Sequence, residues 1–267
     1  MLKDFYETTS DYADIKIKSN YHTHNYLCGH AVGTVTDYVR EAVKCGLETL
    51  GVSDHCMSPF GAYDPYMTPE TIPRDYLPQF DRARELYGDG IELLRGAEIE
   101  FFSGFNDYYD GLSGMLDYLV LGQHEYILNG RRKNSFCDGV DEANVIAYFE
   151  NVIAGLESGF FSVLAHPDLI FYRRPTITPR IVDAFDEVVR TAKKQGVALE
   201  LNANGIRNHL FKYPSDLLVE LCKKYDAPVV VSSDCHCCDE MCDEYMLRLY
   251  SYAHKHGLNI VDKLRVR

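Results

Sequence analysis

The sequence has no apolar run approaching the roughly 20 residues of a membrane-spanning helix, so we expect no membrane segment. Positive charge is also in short supply, since 40 acidic residues outnumber 27 basic ones and the formal net charge is −13. This balance disfavours a main role in binding nucleic acids or membrane surfaces. The first twenty residues lack the apolar stretch of a signal peptide, so we expect no export signal.

A disulfide framework is likewise missing. The nine cysteines are odd in number and irregularly spaced from Cys28 to Cys242. Such usage is typical of a reducing compartment, and we predict a cytoplasmic protein. The role of the cysteine-rich sequence CHCCDEMC, residues 235–242, is left open.

What the sequence does contain is an alternation of short β-rich runs and amphipathic stretches. A chain of 267 residues with 46% hydrophobic residues suits one α/β barrel. We predict a distorted (β/α)7 barrel over residues 19–267, preceded by an extension over residues 1–18. The predicted strands are Lys18–His22, Thr49–Ser53, Glu92–Ile99, Tyr118–Gly122, Phe161–Ala165, Val197–Leu201 and Pro228–Ser232.

Four helices are predicted between these strands, over residues 34–46, 142–159, 178–196 and 214–226. Three of them have Thr or Ser before the apolar periodicity and Gly or Asp after it, as helix caps require. Residues 57–78 contain five prolines, and we predict a long loop or lid there.

Histidines and acids gather where the predicted strands end. Since parallel strands present their carboxyl ends at one face, side chains distant in sequence should meet there. His22 and His24 are two residues apart, as are Asp234 and His236, so each pair can face one ion from an extended segment. Imidazole and carboxylate suit zinc, iron or manganese, and we predict a polynuclear metal site. Its members are His22, His24, His30, His55, Glu98, His124, His166, Asp234 and His236.

Eight short motifs in this chain closely resemble those of the PHP family, named for polymerase and histidinol phosphatase. In chain order they are HTHN, CGHA, GVSDH, GAEIEF, GQHE, AHPDL, ELNANGIR and SSDCH. The likeness is greatest to the histidinol-phosphate phosphatase branch, and it implies a distorted barrel of seven βα units. Cys235 departs from the pattern, because a small residue is common at that position in the family.

The resemblance implies three divalent ions and assigns their ligands. His22, His24, Glu98 and Asp234 would hold one ion. Glu98 would bridge to a second ion, which also takes His124 and His166. His30, His55 and His236 would hold the third.

The predicted reaction is hydrolysis of a small phosphate monoester, histidinol phosphate above all, to the alcohol and inorganic phosphate. Three divalent ions, two carboxylates and one hydroxide sum to +3, which attracts a phosphate dianion. We assign catalytic roles to Glu98, Asp234 and His55 and leave the general acid open, since His55 cannot be both ligand and free acid. Arginine pairs with oxyanions in bidentate fashion, so Arg207 and either Arg173 or Arg174 are predicted to bind phosphate.

Two other functions stay open. One keeps the metal site and acts on nucleotides, oligonucleotides or phosphotyrosine. The other is a metal-binding domain without turnover. The metal identity and the oligomeric state are not predicted.

Overall fold

The computed structural model describes residues 2, 5, 15–61, 66–88, 90–138, 141–208 and 213–266. Ten strands are present in these segments, and eight of them form one curled sheet in which every neighbouring pair is parallel. The other two form an antiparallel hairpin. The strands are β1 Ser19–Asn20, β2 Thr49–Val52, β3 Glu92–Ile99, β4 Tyr118–Leu121, β5 Glu125–Leu128, β6 Arg131–Asn134, β7 Val163–Leu164, β8 Ala198–Asn202, β9 Pro228–Ser232 and β10 Asn259–Ile260.

The sheet order β1-β2-β3-β4-β7-β8-β9-β10 curls until its first strand meets β9 again. Thr23, beyond β1, forms a parallel bridge with Cys235, beyond β9. The His24 amide donates to the Cys235 carbonyl at 3.0 Å, and the Asp234 amide donates to the His22 carbonyl at 2.9 Å. The short β10 pairs with the opposite, amino-terminal end of β9. The barrel is therefore closed at the carboxyl ends of its strands.

Helices cover the outside of this barrel. They are α1 Val35–Cys45, α2 Leu77–Tyr87, α3 Asn106–Ser113, α4 Glu142–Ser158, α5 Pro179–Gln195, α6 Asn204–Arg207, α7 Asp216–Tyr225 and α8 Glu244–Lys255. Side-chain caps fix where several of them begin: Thr34 accepts the Asp37 amide, Thr178 the Ile181 amide and Ser215 the Leu218 amide. None of the described helices has the length and apolar character needed to cross a membrane.

Side-chain alternation divides the interior into two layers. Leu199 and Leu201 of β8 join the large core between sheet and helices, whereas Ala198 faces into the barrel. Tyr118 fills the lower barrel, where a Cβ at Gly51 would lie 2.1 Å from its hydroxyl oxygen and a Cβ at Gly96 would lie 2.4 Å from its ring. Because apolar side chains fill the lower barrel, the polar side chains of the interior lie at the carboxyl ends of the strands.

The predicted barrel is confirmed, with all seven predicted strands and all four predicted helices present. Three features differ from the prediction. The β5–β6 hairpin and β10 were not predicted. The predicted loop over residues 57–78 is helical from Ile72 onward, as a π-helical turn, Ile72–Tyr76, that runs into α2. Pro73 and Pro78 stand at the first turn of these helices, where proline is tolerated because its missing N–H needs no partner.

The boundary predicted at residue 18 stays a prediction. Leu2, Phe5 and Ile17 are buried in the main core, and the Phe5 ring lies 6.0 Å from the Tyr252 ring. These residues of the segment before β1 pack on the barrel.

Candidate metal centre

Glu98, at the end of β3, lies at the centre of a group of imidazoles. Its Oε2 is 3.3 Å from His22 Nε2, 3.6 Å from His24 Nε2 and 3.0 Å from His55 Nδ1. Its Oε1 is 3.0 Å from His166 Nε2 and 3.7 Å from His124 Nε2. The two oxygens of one buried carboxylate thus face two different sets of histidines.

Asp234 and two further histidines, His30 and His236, complete the arrangement. Asp234 Oδ1 is 3.2 Å from His24 Nε2 and 3.7 Å from His22 Nε2. The His236 ring lies 4.3 Å from the His24 ring and 4.7 Å from the His30 ring. All nine residues that the sequence suggested as ligands therefore meet at the carboxyl ends of the strands.

Ligand atoms within 4.8 Å of one another form several groups suited to a metal ion. Two correspond to ligand sets that the family resemblance implies, Glu98–His124–His166 and His30–His55–His236. A third, His22–His24–Asp234, lacks only Glu98 of the remaining set. Two more groups combine His24 with His55 and Glu98, and His24 with Cys28 and His236. Cys28 was not among the predicted ligands. Its buried thiol donates to the Asn25 carbonyl, and burial raises the pKa of this thiol to about 12, which disfavours the thiolate.

Buried imidazole nitrogens without hydrogen-bond partners indicate that these residues suit a metal ion. His22 Nε2, both ring nitrogens of His24 and His166 Nδ1 are buried without a hydrogen-bond partner. A buried polar atom without a partner costs about 1–3 kcal/mol. A divalent cation would satisfy imidazole nitrogens at these places and balance the two carboxylates.

The electrostatics of the site keep both carboxylates ionised. Burial opposes the charge of Glu98 and Asp234, yet nearby histidines hold the pKa of both well below the usual range. Burial likewise opposes protonation of His24 and His124, but the acids that face them, chiefly Asp234 for His24 and Glu98 for His124, raise their pKa to about 9 and about 8. Burial and the charge on His24 lower the pKa of His236 to about 3.

Two candidate ligands have strained backbones. His166 and Asp234 adopt positive φ angles of 29° and 45°. Non-glycine residues seldom adopt this conformation, which costs of order 1–3 kcal/mol and is found at functional sites. The backbone amide of Asp234 donates a hydrogen bond to the His22 carbonyl, and this hydrogen bond holds the Asp234 conformation.

Several side chains that touch the candidate ligands orient them. Glu100 Oε1 lies 3.1 Å from His124 Nδ1. The Asn202 amide donates to Asp234 Oδ2 at 2.9 Å. Asp168 instead accepts the Ser215 amide at 2.6 Å, at the start of α7.

Glu200 was missed by the sequence analysis. It is fully buried on β8, and its Oε1 lies 2.8 Å from His22 Nδ1. The available signal was the alternation in the strand sequence ALELN, which places Glu200 on the same face as Ala198 and Asn202. A glutamate on the inner face of a buried strand requires a polar partner.

The candidate ligands form one wall of a cavity of about 570 Å³. The rest of the wall includes Tyr66, which lies in the predicted loop over residues 57–78, and Asn134 and Phe136, for which no role was predicted. The Tyr66 ring stacks on His55 at 4.6 Å, and the Phe136 ring lies parallel to His124 at 6.0 Å. Asn134 and Phe136 are positioned by the β5–β6 hairpin, whose turn at Asn129 and Gly130 has positive φ angles of 52° and 71°.

The three predicted phosphate-binding arginines lie elsewhere. Arg207 Nε donates to Asp243 Oδ2 at 2.7 Å, and its two other nitrogens donate to the carbonyls of Ser233 and Glu240. Arg173 and Arg174 are exposed, and Arg174 lines a separate groove beside Ser215. None of the three is among the residues that line the 570 Å³ cavity.

The fold and the site together define an α/β barrel whose carboxyl-end face could hold divalent metal ions. The PHP domain model matches residues 20–204, more than half of the chain, and this protein belongs to the PHP domain family. Asp234 and His236 lie beyond the matched segment.

Similar proteins agree with this membership. The "Probable histidinol-phosphatase" of Deinococcus radiodurans is 28% identical over 80% of this chain and 85% of its own. A "Probable phosphatase" of Vibrio cholerae is 24% identical over 84% of this chain and 80% of its own. Among solved structures, HisK of Listeria monocytogenes has a TM-score of 0.73 at 20% identity, covering 85% of this chain and 98% of its own. Histidinol phosphate phosphatase of Lactococcus lactis, in complex with zinc, L-histidinol and phosphate, has a TM-score of 0.65 at 15% identity, covering 93% and 98%.

Proposed function

We propose that this protein is a metal-dependent phosphatase that hydrolyses a small phosphate monoester, with histidinol phosphate as the preferred substrate. The observation that carries the proposal is the position of Glu98, whose two oxygens face separate sets of histidines beside the cavity. Family membership and the names of the similar proteins support the same reaction. The products would be histidinol and inorganic phosphate, as in histidine biosynthesis.

Three divalent ions, of zinc, iron or manganese, would be held by the nine ligands in the sets given above. Such ions lower the pKa of bound water toward about 7 and neutralise phosphate charge. Glu98 would connect the sets, with Oε2 toward His22, His24 and His55 and Oε1 toward His124 and His166. Asp234 would hold His24 and His22 on the same side of the cavity. Zinc in the Lactococcus protein favours this metal for the first trials.

The cavity could also bind the organic part of the substrate. Tyr66 and Phe136 offer apolar ring surfaces, and Glu100 and Glu240 offer carboxylates on the cavity wall. Histidinol phosphate carries an imidazole ring and an amine, so it suits aromatic surfaces and acidic groups. The volume of about 570 Å³ lies within the range of small-molecule sites.

Direct phosphate contact by Arg207 remains part of the proposal. It would require the guanidinium to exchange Asp243 for the phosphate, because Asp243 holds its Nε. Arg173 and Arg174 would have to approach from outside the cavity. Bound cations would meanwhile supply positive charge at the reacting end.

Steady-state kinetics on a substrate panel tests the function. The panel comprises histidinol phosphate, nucleotides, short oligonucleotides and phosphotyrosine, with the metal content measured on the same sample. We expect kcat/KM for histidinol phosphate to exceed the other values by at least about tenfold, as a pocket shaped for one organic group allows. A higher kcat/KM for another monoester would change the proposed substrate but leave the proposed reaction unchanged. A metal-loaded sample that hydrolyses none of them would favour the metal-binding domain without turnover.

A further inference from the structure

Glu200 connects three parts of the candidate metal centre. Its Oε1 lies 2.8 Å from His22 Nδ1, and its Oε2 accepts the backbone amide of His166 at 2.8 Å. The same Oε2 accepts the side-chain amide of Asn202 at 2.9 Å. Asn202 also donates to Asp234 Oδ2 at 2.9 Å. One buried carboxylate therefore contacts the candidate ligands that follow β1 and β7, His22 and His166, and through Asn202 the ligand after β9, Asp234.

The donors around Glu200 require a group that only accepts hydrogen bonds. The backbone N–H of His166 and the side-chain NH2 of Asn202 can only donate, and both bind Oε2. Oε1 is left for His22, whose Nδ1 must then carry the proton. A carboxylate satisfies all three donors at once, and the 0% exposure of Glu200 leaves no water to replace it.

This hydrogen bond determines which nitrogen of His22 faces the centre. With Nδ1–H bonded to Glu200, Nε2 points toward Glu98 Oε2 at 3.3 Å and Asp234 Oδ1 at 3.7 Å. In the neutral ring that nitrogen carries the lone pair that a metal needs. We propose that Glu200 is the positioning residue of this centre and fixes the His22 tautomer while holding the strained His166 backbone. The proposal rests on the metal-dependent function proposed above.

Glutamine at this position should switch His22 to its other tautomer. Its single carbonyl oxygen can meet either His22 or the two donors at the Oε2 position, and the two donors outweigh the one. The amide NH2 would then face His22 Nδ1, which must become an acceptor. The proton would move to Nε2, where it would block a metal.

Zinc affinity and proton NMR test the proposal on purified, metal-free full-length protein. We expect Glu200→Gln to lower zinc affinity by about 10–100-fold, the usual effect of losing such a partner. We also expect loss of the slowly exchanging His22 Nδ1–H resonance in protein labelled with ¹⁵N-histidine. Competition against a chromophoric chelator gives the affinity. Glu142→Gln is the matched control, because Glu142 pairs with Arg180 on the molecular surface.

Glu200→Asp keeps both oxygens on a shorter side chain and should fall between wild type and Glu200→Gln in zinc affinity. It also serves as the test if the glutamine variant fails to fold. Equal zinc affinity in wild type and the folded variants, with the Nδ1–H resonance retained, would overturn the role of Glu200. A wild-type protein that binds no zinc, iron or manganese would overturn the proposed function instead. In that case the resonance alone still tests the Glu200–His22 contact.

Discussion

At the scale of single residues, Gly122 leaves the space that the Glu98 side chain needs in the candidate metal centre. It follows β4 beside Glu98, and a Cβ built on it would lie 2.0 Å from Glu98 Oε1. The Glu98 carboxylate occupies the space that a side chain at position 122 would fill. Glu98 can reach both sets of histidines only because position 122 has no side chain.

We therefore expect Gly122→Ala to displace Glu98 and to lower kcat/KM at least about 100-fold, since a misplacement of about 1 Å can cost that much. Metal content per chain should fall in parallel. The matched control is Gly111→Ala on α3, where a Cβ meets nothing within 4 Å and alanine favours the helix. Wild-type kinetics and metal content in Gly122→Ala would contradict the role given to this glycine.

Arg207 allows a test that separates anchoring from phosphate binding. Its bonds to Asp243, Ser233 and Glu240 tie α6 to the segment that carries His236. If anchoring is the main role, Arg207→Ala and Asp243→Asn should lower metal content to a similar extent, and the double variant should be little worse than either. If Arg207 binds phosphate, Arg207→Ala should raise KM while Asp243→Asn, which frees the guanidinium, should not. Metal analysis and kinetics on the three variants decide between these outcomes.

The sequence identified candidate ligands better than their surroundings. His22, His24 and Asp234 are recognisable because histidine and acid recur where strands end, which depends only on local order along the chain. The partner of Arg207 is 36 residues away and that of His22 is 178 residues away. Contacts between side chains so far apart in the sequence depend on how the whole barrel packs. The spacing of residues along the chain does not predict them.

At the scale of elements, boundaries were most predictable where local chemistry fixes them. α1 begins after Thr34 and ends before Gly46, as its caps require, and β3 and β9 have the predicted limits. The β5–β6 hairpin was missed although Asn129-Gly130 is a strong turn signal, because its strands are only four residues long. The polar sequence RRKN of β6 gives no apolar alternation from which to predict a strand.

An ion pair between neighbouring strands gives a pH-dependent prediction. Arg95 of β3 donates hydrogen bonds from its backbone amide and its guanidinium to the carboxylate of Asp117, next to β4. Burial opposes the charge, but these bonds lower the pKa of Asp117 below its ordinary value. Because the folded state favours the carboxylate, the pair stabilises the protein above the unfolded pKa, and this stability is lost as pH falls through the folded pKa.

We expect Asp117→Asn to lower the free energy of unfolding by about 1 kcal/mol at pH 7, a value discounted for the partial exposure of the pair. The difference from wild type should persist to about pH 5 and shrink below the unfolded value of about 3.9. Urea unfolding at several pH values measures it. Asp110→Asn on α3 controls for loss of a surface charge. A difference that does not change with pH would contradict the assignment.

At the scale of the whole molecule, metal binding should stabilise the fold, because the candidate ligands come from six strands and the loops after them. Free zinc at 100 times its dissociation constant should raise the free energy of unfolding by about 2.7 kcal/mol for one site. Thermal unfolding with and without a chelator checks this. Glu98→Gln should lose most of the effect, whereas Glu92→Gln, on the same strand but half exposed, should keep it. An equal melting temperature with and without zinc would argue against a structural contribution from the metal.

The bridge between Thr23 and Cys235 has a consequence for biosynthesis. It joins positions more than two hundred residues apart, and His22 and Asp234 stand directly beside it. Contacts so distant along a chain form late in folding, because a long loop must close first. During translation the earliest histidines leave the ribosome well before their last partners have been made. A nascent chain that stops short of Asp234 therefore cannot assemble the candidate metal centre, whatever the supply of metal in the cell.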